Sequence, residues 1–116
     1  HLKYDAEIKL AWSTLTLREI MESGGDLKDL PDVIEELIFT SPDAQLVVLI
    51  CEEAEGRICV MMASRGAGVR PTHLPWTITQ SVPGFTKYCV QGQDLITAEQ
   101  GVVEKIKEML RLLPRT

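Results

Sequence analysis

Two unbroken apolar runs of six residues each, Leu46–Cys51 and Ile58–Ala63, lie a few residues apart in the middle of the chain. Neither approaches the ~20 residues that a membrane-spanning helix needs. Both are too apolar for a strand with one wet face. They read as two strands buried on both sides, Leu46 to Glu52 and Arg57 to Ser64, joined by a tight turn at Ala54-Glu55-Gly56. Such an antiparallel hairpin belongs in the middle of a sheet, so the rest of the chain must supply the flanking strands and the layers that cover it.

The flanking segments carry the matching signals. From Glu7 to Ser13 the order E-I-K-L-A-W-S places Ile8, Leu10 and Trp12 on one face of a strand and Glu7 and Lys9 on the other. Thr16 opens a capping box, T-L-R-E, in which the Thr16 hydroxyl and the Glu19 carboxylate each satisfy an orphan N–H of a short helix, and Gly24-Gly25 suits its end. Leu27, Leu30, Val33, Ile34, Leu37 and Ile38 form the stripe of a second helix, with Pro31 in its first turn and Ser41-Pro42 as its stop. Residues 66 to 86 are irregular, with Gly66, Gly68, Gly84, Pro71, Pro75 and Pro83, and a short helical piece is expected over Trp76 to Ser81. A strand over Lys87 to Gln91 follows. A second capping box at Thr97-Ala-Glu-Gln100 then starts a helix with the core stripe Val103, Ile106, Met109, Leu110 and Leu113, ended by Pro114. The order implies one α/β (α+β) domain over residues 1–116: a single mixed sheet with a central antiparallel hairpin, covered by helices.

At 116 residues, 45% hydrophobic and 25% charged, the chain has the makings of one core and not of a disordered or low-complexity segment. Its first residues, HLKYDAEIKL, lack the apolar core of a signal peptide. Three cysteines without C-x-x-C spacing argue against a disulfide framework and a structural zinc site and favour a reducing, cytoplasmic setting. Cys51 and Cys59 face each other if the hairpin loop has three residues and point to opposite faces if it has two. The start at His1 instead of Met suits a piece of a longer chain.

The net charge of −5 is unevenly spread. Residues 1 to 55 hold thirteen Asp and Glu against four Lys and Arg, whereas the 37 residues from Arg57 to Gln93 contain no acid and carry Arg57, Arg65, Arg70, Lys87 and His73. Two readings stand: a surface that meets an anion, or a stretch of buried strand and loop where carboxylates are rare anyway. Within it, Arg65, Gly66, Gly68, Arg70 and His73, with Gly84 and Lys87, have the residue types of a phosphate site. Glycines admit backbone N–H groups, arginine offers a planar fork, and histidine or lysine adds a donor. Trp76 and Phe85 either stack on a base or plug the core.

Other chemistry finds little support. Gly66-Ala67-Gly68 lacks the rest of a dinucleotide or P-loop motif. A Cys89–His73 nucleophile pair would have to close across an irregular loop. Glu35-Glu36 and Glu52-Glu53 read as solvated surface.

The run IKLAWSTLTLREIMESGG, followed by DLPDVIEELIFTSPDAQLVVLICEEAEGRICVMMASRG, resembles the C-terminal DHH-associated domain of DHH-family phosphoesterases, notably the oligoribonuclease or nano-RNase branch, with RecJ exonucleases more distant. Arg65 matches the arginine that closes the second hairpin strand in that family. The family's run of glycines followed by histidine is replaced here by HLPWTITQSVPGFTKYCVQG, in which Gly84 and Lys87 take comparable positions. The resemblance implies a substrate-recognition domain that grips the phosphate and base of a short oligonucleotide or cyclic dinucleotide. Hydrolysis would belong to a catalytic DHH domain of the same parent chain, which would hold Mn or Mg, with no cofactor in this domain and no membrane partner. The alternative is a non-catalytic regulatory or oligomerisation domain that contacts protein, including a second copy of itself.

Overall fold

A computed structural model describes residues 2–22, 30–65 and 73–112. It contains a six-stranded mixed sheet and three helices, an α+β fold, in the chain order β1 (Lys3–Asp5), β2 (Leu10–Leu15), α1 (Leu17–Glu22), α2 (Leu30–Thr40), β3 (Leu46–Ala54), β4 (Arg57–Ser64), β5 (Thr77–Val82), β6 (Phe85–Gln91) and α3 (Leu95–Leu112). The strands lie in the order β1-β2-β3-β4-β6-β5, so the apolar hairpin β3–β4 occupies the centre. Leu46 to Cys51 and Ile58 to Ala63 are all buried, as strands with protein on both faces must be.

The hairpin combines a two-residue loop with facing cysteines. Ala54 pairs with Arg57, leaving Glu55-Gly56 as the loop, and Gly56 takes a φ of 73° that a side chain would resist. A bulge between Glu52 and Ala54 adds one residue to β3, leaves Glu53 without a ladder partner and brings Cys51 opposite Cys59. Both thiols are free, as is that of Cys89.

β2 runs parallel to β3, with the segment containing α1 and α2 between them in the chain. It begins at Leu10 and not at Glu7, because β1 folds back on it in an antiparallel pair and the chain has to turn between them. The Asp5 carboxylate accepts the Glu7 N–H at 3.1 Å in that turn, and Lys9 adopts a left-handed φ of 54°. Ile8, Leu10 and Trp12 still pack into one cluster, on the α3 side of the sheet. The first capping box forms as expected: the Glu19 N–H donates to Thr16 Oγ1 at 3.0 Å, and the Thr16 N–H to Glu19 Oε1 at 3.1 Å. Leu30 and Ile34 of α2 are buried, with Val33, Leu37 and Ile38 packed beside them. Gly24, Gly25 and Leu27 lie outside the described residues.

Two local expectations are corrected. Trp76 to Ser81 is not helical, since residues 77–82 form the edge strand β5. The Pro83-Gly84 turn, with Gly84 at φ 112°, folds it back on β6, and the β-branched T-I-T-Q-S-V sequence suits a pleated ribbon. The cap of α3 is Asp94, three residues ahead of Thr97. The Thr97 N–H donates to Asp94 Oδ1 at 2.7 Å, which holds that carboxyl below its ordinary pKa, and Thr97 lies within the first turn. The core stripe of α3 is buried through Ala98, Val102, Val103, Ile106 and Met109. Leu113 and Pro114 lie outside the described residues.

The sheet therefore separates two cores. α3 covers Leu10, Val48, Ile50, Ile58, Val60 and Tyr88 on one face, and α1 and α2 cover Ala11, Val47, Leu49, Cys59 and Met61 on the other. No helix among the described residues is long and apolar enough to cross a membrane.

Candidate phosphate-binding surface

The strand register decides which of the expected site residues can meet. Met62 pairs with Thr86, so the Pro83-Gly84 turn and the end of β4 at Arg65 lie at the same end of the sheet. Alternation along β6 points Tyr88 and Val90 into the α3 core and Phe85 and Lys87 toward the α1–α2 side. Arg65 also faces α2. One of its terminal nitrogens donates to the carbonyls of Ser41 and Pro42 at 3.2 and 3.1 Å, and the other to the Ile38 carbonyl. These carbonyls lie at and just beyond the C-terminus of α2, where those of Ile38 and Ser41 also accept the Ser41 and Ala44 N–H groups and where a cation suits the helix dipole. Arg65 is thus a capping residue with part of its five-donor fork left over.

Lys87 is engaged as well. Its ammonium lies 2.8 Å from Glu53 Oε1, and Arg57 Nε lies 3.6 Å from Glu53 Oε2. The hydrogen bond to Glu53 raises the Lys87 pKa above its ordinary value, with burial opposing it. Glu52 accepts the Leu17 N–H of α1 at 3.1 Å. The pair Glu52-Glu53 is therefore structural and electrostatic, not merely solvated surface.

His73 lies on the other side of the sheet. It lines a groove of about 280 Å³ with Lys105, Glu108, Met109 and Leu112 of α3, so the structure does not bring it to Lys87. The same separation removes the Cys89–His73 pair. Cys89 pairs with Cys59 on the α1–α2 side, completing a row Cys51–Cys59–Cys89 across β3, β4 and β6. Burial pushes the Cys59 thiol up to about 12 and Cys51 higher still, the opposite of what a nucleophile needs. Gly66, Gly68 and Arg70 lie outside the described residues.

The two aromatics divide in the same way. Trp76 meets Tyr88 edge to face at 5.7 Å between centroids and packs on the α3 core, while Phe85 packs on the α1–α2 core. They do not form two walls of one base-binding slot.

Sequence reasoning missed two clusters. One is Glu53–Arg57–Lys87, assembled by the bulge. The other is a groove of about 500 Å³ beside Trp12, whose indole N–H and the Lys3 ammonium each donate to Glu99 Oε2 at 2.9 Å, with Lys107 5.6 Å from the ring centre. Its partners come from both ends of the chain, so no local signal could have found it. Among the described residues no group of three or more His, Cys, Asp or Glu is placed to hold a metal ion.

No family model matches this chain, and no curated protein sequence matches it. Among solved structures, the fold is similar to that of an exopolyphosphatase-related protein from Bacteroides fragilis, with a TM-score of 0.70 and 12% sequence identity. The likeness covers 96% of this chain and 31% of that one. This chain therefore has the fold of a part of that protein, under a third of its length.

Proposed function

We propose that this domain is the substrate-recognition part of a DHH-type phosphoesterase. It grips phosphate and base of a short oligonucleotide or cyclic dinucleotide while a separate metal-bearing domain of the same parent chain hydrolyses the bond. The observation that carries this reading is the likeness over 96% of the chain to part of an exopolyphosphatase-related protein. It is supported by the acid-free segment, in which Arg65 and the Gly84 turn fall at the same end of the sheet and Lys87 follows on β6, opposite Met61. Arg65 holds the end of β4 against α2 and keeps donors to spare, and the chain beyond it continues into Gly66, Gly68 and Arg70. Lys87 supplies a cation from β6, and Gly84 a backbone turn that no side chain crowds.

A titration followed by heteronuclear NMR tests this, using two- to five-nucleotide RNA and DNA with a 5′-phosphate and inorganic polyphosphate as a separate arm. Salt-sensitive shifts centred on Arg65, Gly84 and Lys87 are expected with the oligonucleotides. Shifts with polyphosphate alone would reassign the ligand, and no shifts at millimolar concentration would overturn the reading.

One observation favours the second reading, a domain that contacts protein. Edge strand β5 is uncharged, and its six residues are all exposed, an open edge of the kind that pairs with another strand. Concentration-dependent sedimentation without any nucleotide response would support that role.

A further inference from the structure

Cys51, Cys59 and Cys89 stand opposite one another on β3, β4 and β6, and all three thiols are free. The hydrogen-bond ladder decides which of them can join. In an antiparallel sheet a residue turns both its N–H and its C=O toward one neighbour, so Cys59 has a wide, hydrogen-bonded partner on one side and a narrow, non-hydrogen-bonded partner on the other. Backbone bonds at the two ends of β4 fix which is which. The Gly92 N–H donates to the Gly56 carbonyl at 2.8 Å, which makes Gly56–Gly92 a wide pair in the β4–β6 register. Wide and narrow pairs alternate, and Cys59–Cys89 lies an odd number of residues further on, so it is narrow. The Arg65 N–H donates to the Gln45 carbonyl at 2.7 Å, and Cys51–Cys59 lies an even number of residues from that wide pair, so it is wide. The two ladders agree.

A disulfide needs β-carbons about 3.5–4.5 Å apart. Cross-strand β-carbons lie about 4.5–5.5 Å apart, and narrow pairs hold the short end of that range. Cys59 can therefore close on Cys89 with a small shift of the strands, and not on Cys51. Exposure supplies the order of events. Cys51 and Cys59 are 0% and 1% exposed, whereas Cys89 is half-buried. We propose that Cys59 and Cys89 are a reversible redox pair, which a small disulfide such as oxidised glutathione converts to a bridge between β4 and β6. The Cys89 thiolate attacks one sulfur of the reagent and expels a glutathione thiolate, leaving a mixed disulfide. The Cys59 thiolate then attacks the Cys89 sulfur and expels the second. Two protein thiols are oxidised, one disulfide is reduced, and the two protons pass to the expelled thiolates. Burial pushes the Cys59 thiol up to about 12, with Lys87 opposing it, which keeps it from reagents in water. That does not protect it from a sulfur held directly opposite, since fixed proximity stands in for concentration. Drawing two strands together strains the bridge, and strained bridges are the readily reduced, regulatory ones. Once closed, the bridge ties β6 and its partner β5 to the central hairpin, whatever the domain binds.

The test uses the full 116-residue chain, reduced, transferred into oxidised glutathione at pH 8, then blocked by alkylation and digested with trypsin. The Lys and Arg positions leave Cys51, Cys59 and Cys89 in separate tryptic peptides, 29–57, 58–65 and 88–105. The expected product has lost two hydrogens, joins 58–65 to 88–105, keeps Cys51 alkylated, and returns to three thiols in dithiothreitol. Cys51→Ala should form the same bridge at an unchanged rate. Cys59→Ala should stop at one glutathione on Cys89, and Cys89→Ala should leave both remaining thiols reduced over the time in which the wild type is consumed. A link between 29–57 and 58–65 in the folded protein, a mixed disulfide that persists on Cys89 of the wild type, or bridging only in urea would each overturn the inference. The wild-type peptide map alone decides among these, so the result does not depend on any variant folding.

Discussion

Arg65 holds the end of α2 through its side chain, and replacing it with alanine isolates that role. The backbone of Arg65 is anchored independently, its N–H donating to the Gln45 carbonyl at 2.7 Å, so the substitution removes the guanidinium and little else. Three bonds go, to Ile38, Ser41 and Pro42. A hydrogen bond from a charged donor contributes about 1.5–3 kcal/mol where it is shielded. Arg65 is exposed, and water can replace part of each bond. Discounted to about 0.7 kcal/mol apiece, the loss is about 2 kcal/mol, or about 8 °C in Tm for a domain of this size. Thermal and urea unfolding followed by circular dichroism measure it. Arg65→Lys keeps the charge, but one ammonium cannot reach all three carbonyls, so it should recover less than half of the loss. A change below about 0.5 kcal/mol for Arg65→Ala would refute the capping argument. The same calculation bears on function: loss of ligand affinity in Arg65→Ala counts as a binding effect only at a temperature where the variant is folded.

Four further outcomes follow from the geometry. Asp94→Ala should lower the urea midpoint, as removal of an N-cap does, and Thr97→Ala should lower it markedly less; the reverse order would restore Thr97 as the cap. Glu19, Asp94 and Glu99 are held below their ordinary pKa, the first two by backbone N–H groups of Thr16 and Thr97 and the third by the Lys3 ammonium. Such depressed groups contribute stability above their unfolded values near 4 and lose it as pH falls through the folded ones, so the urea midpoint should drop between about pH 4.5 and pH 3. For Lys87, whose pKa is raised, the contribution is present below about 10.4 and is lost as pH rises beyond it, which a high-pH unfolding series would detect. With a thiol reagent at pH 8, half-buried Cys89 should react first, while Cys51 and Cys59 wait for unfolding; rapid reaction of all three would contradict their burial.

What could be read from the chain and what could not divides along physical lines. The paired apolar runs pointed to a central hairpin, because two six-residue apolar runs, too short for helices and joined by a glycine-containing turn, suit strands covered on both faces. The Thr16–Glu19 box and the stripes of α2 and α3 were legible too, since helical periodicity and capping act over three or four residues. The two edge strands were not. β1 is three residues long and β5 is exposed on both faces, so neither carries an alternating apolar signal, and only pairing with β2 and β6 makes them strands. The Asp94 cap was missed because Thr97 offered the same spacing a turn later. The candidate site divides in the same manner. Its residue types and the acid-free stretch were visible in the sequence, but only the tertiary structure parts Lys87 and Arg65, on the α2 side of the sheet, from His73, which lies beside α3. The single extra residue at Glu53 placed a carboxylate against two cations and Cys51 opposite Cys59. A bulge has no sequence signature of its own here, being a compromise between the turn at Gly56 and the burial of both strands, and that compromise exists only once the sheet has formed.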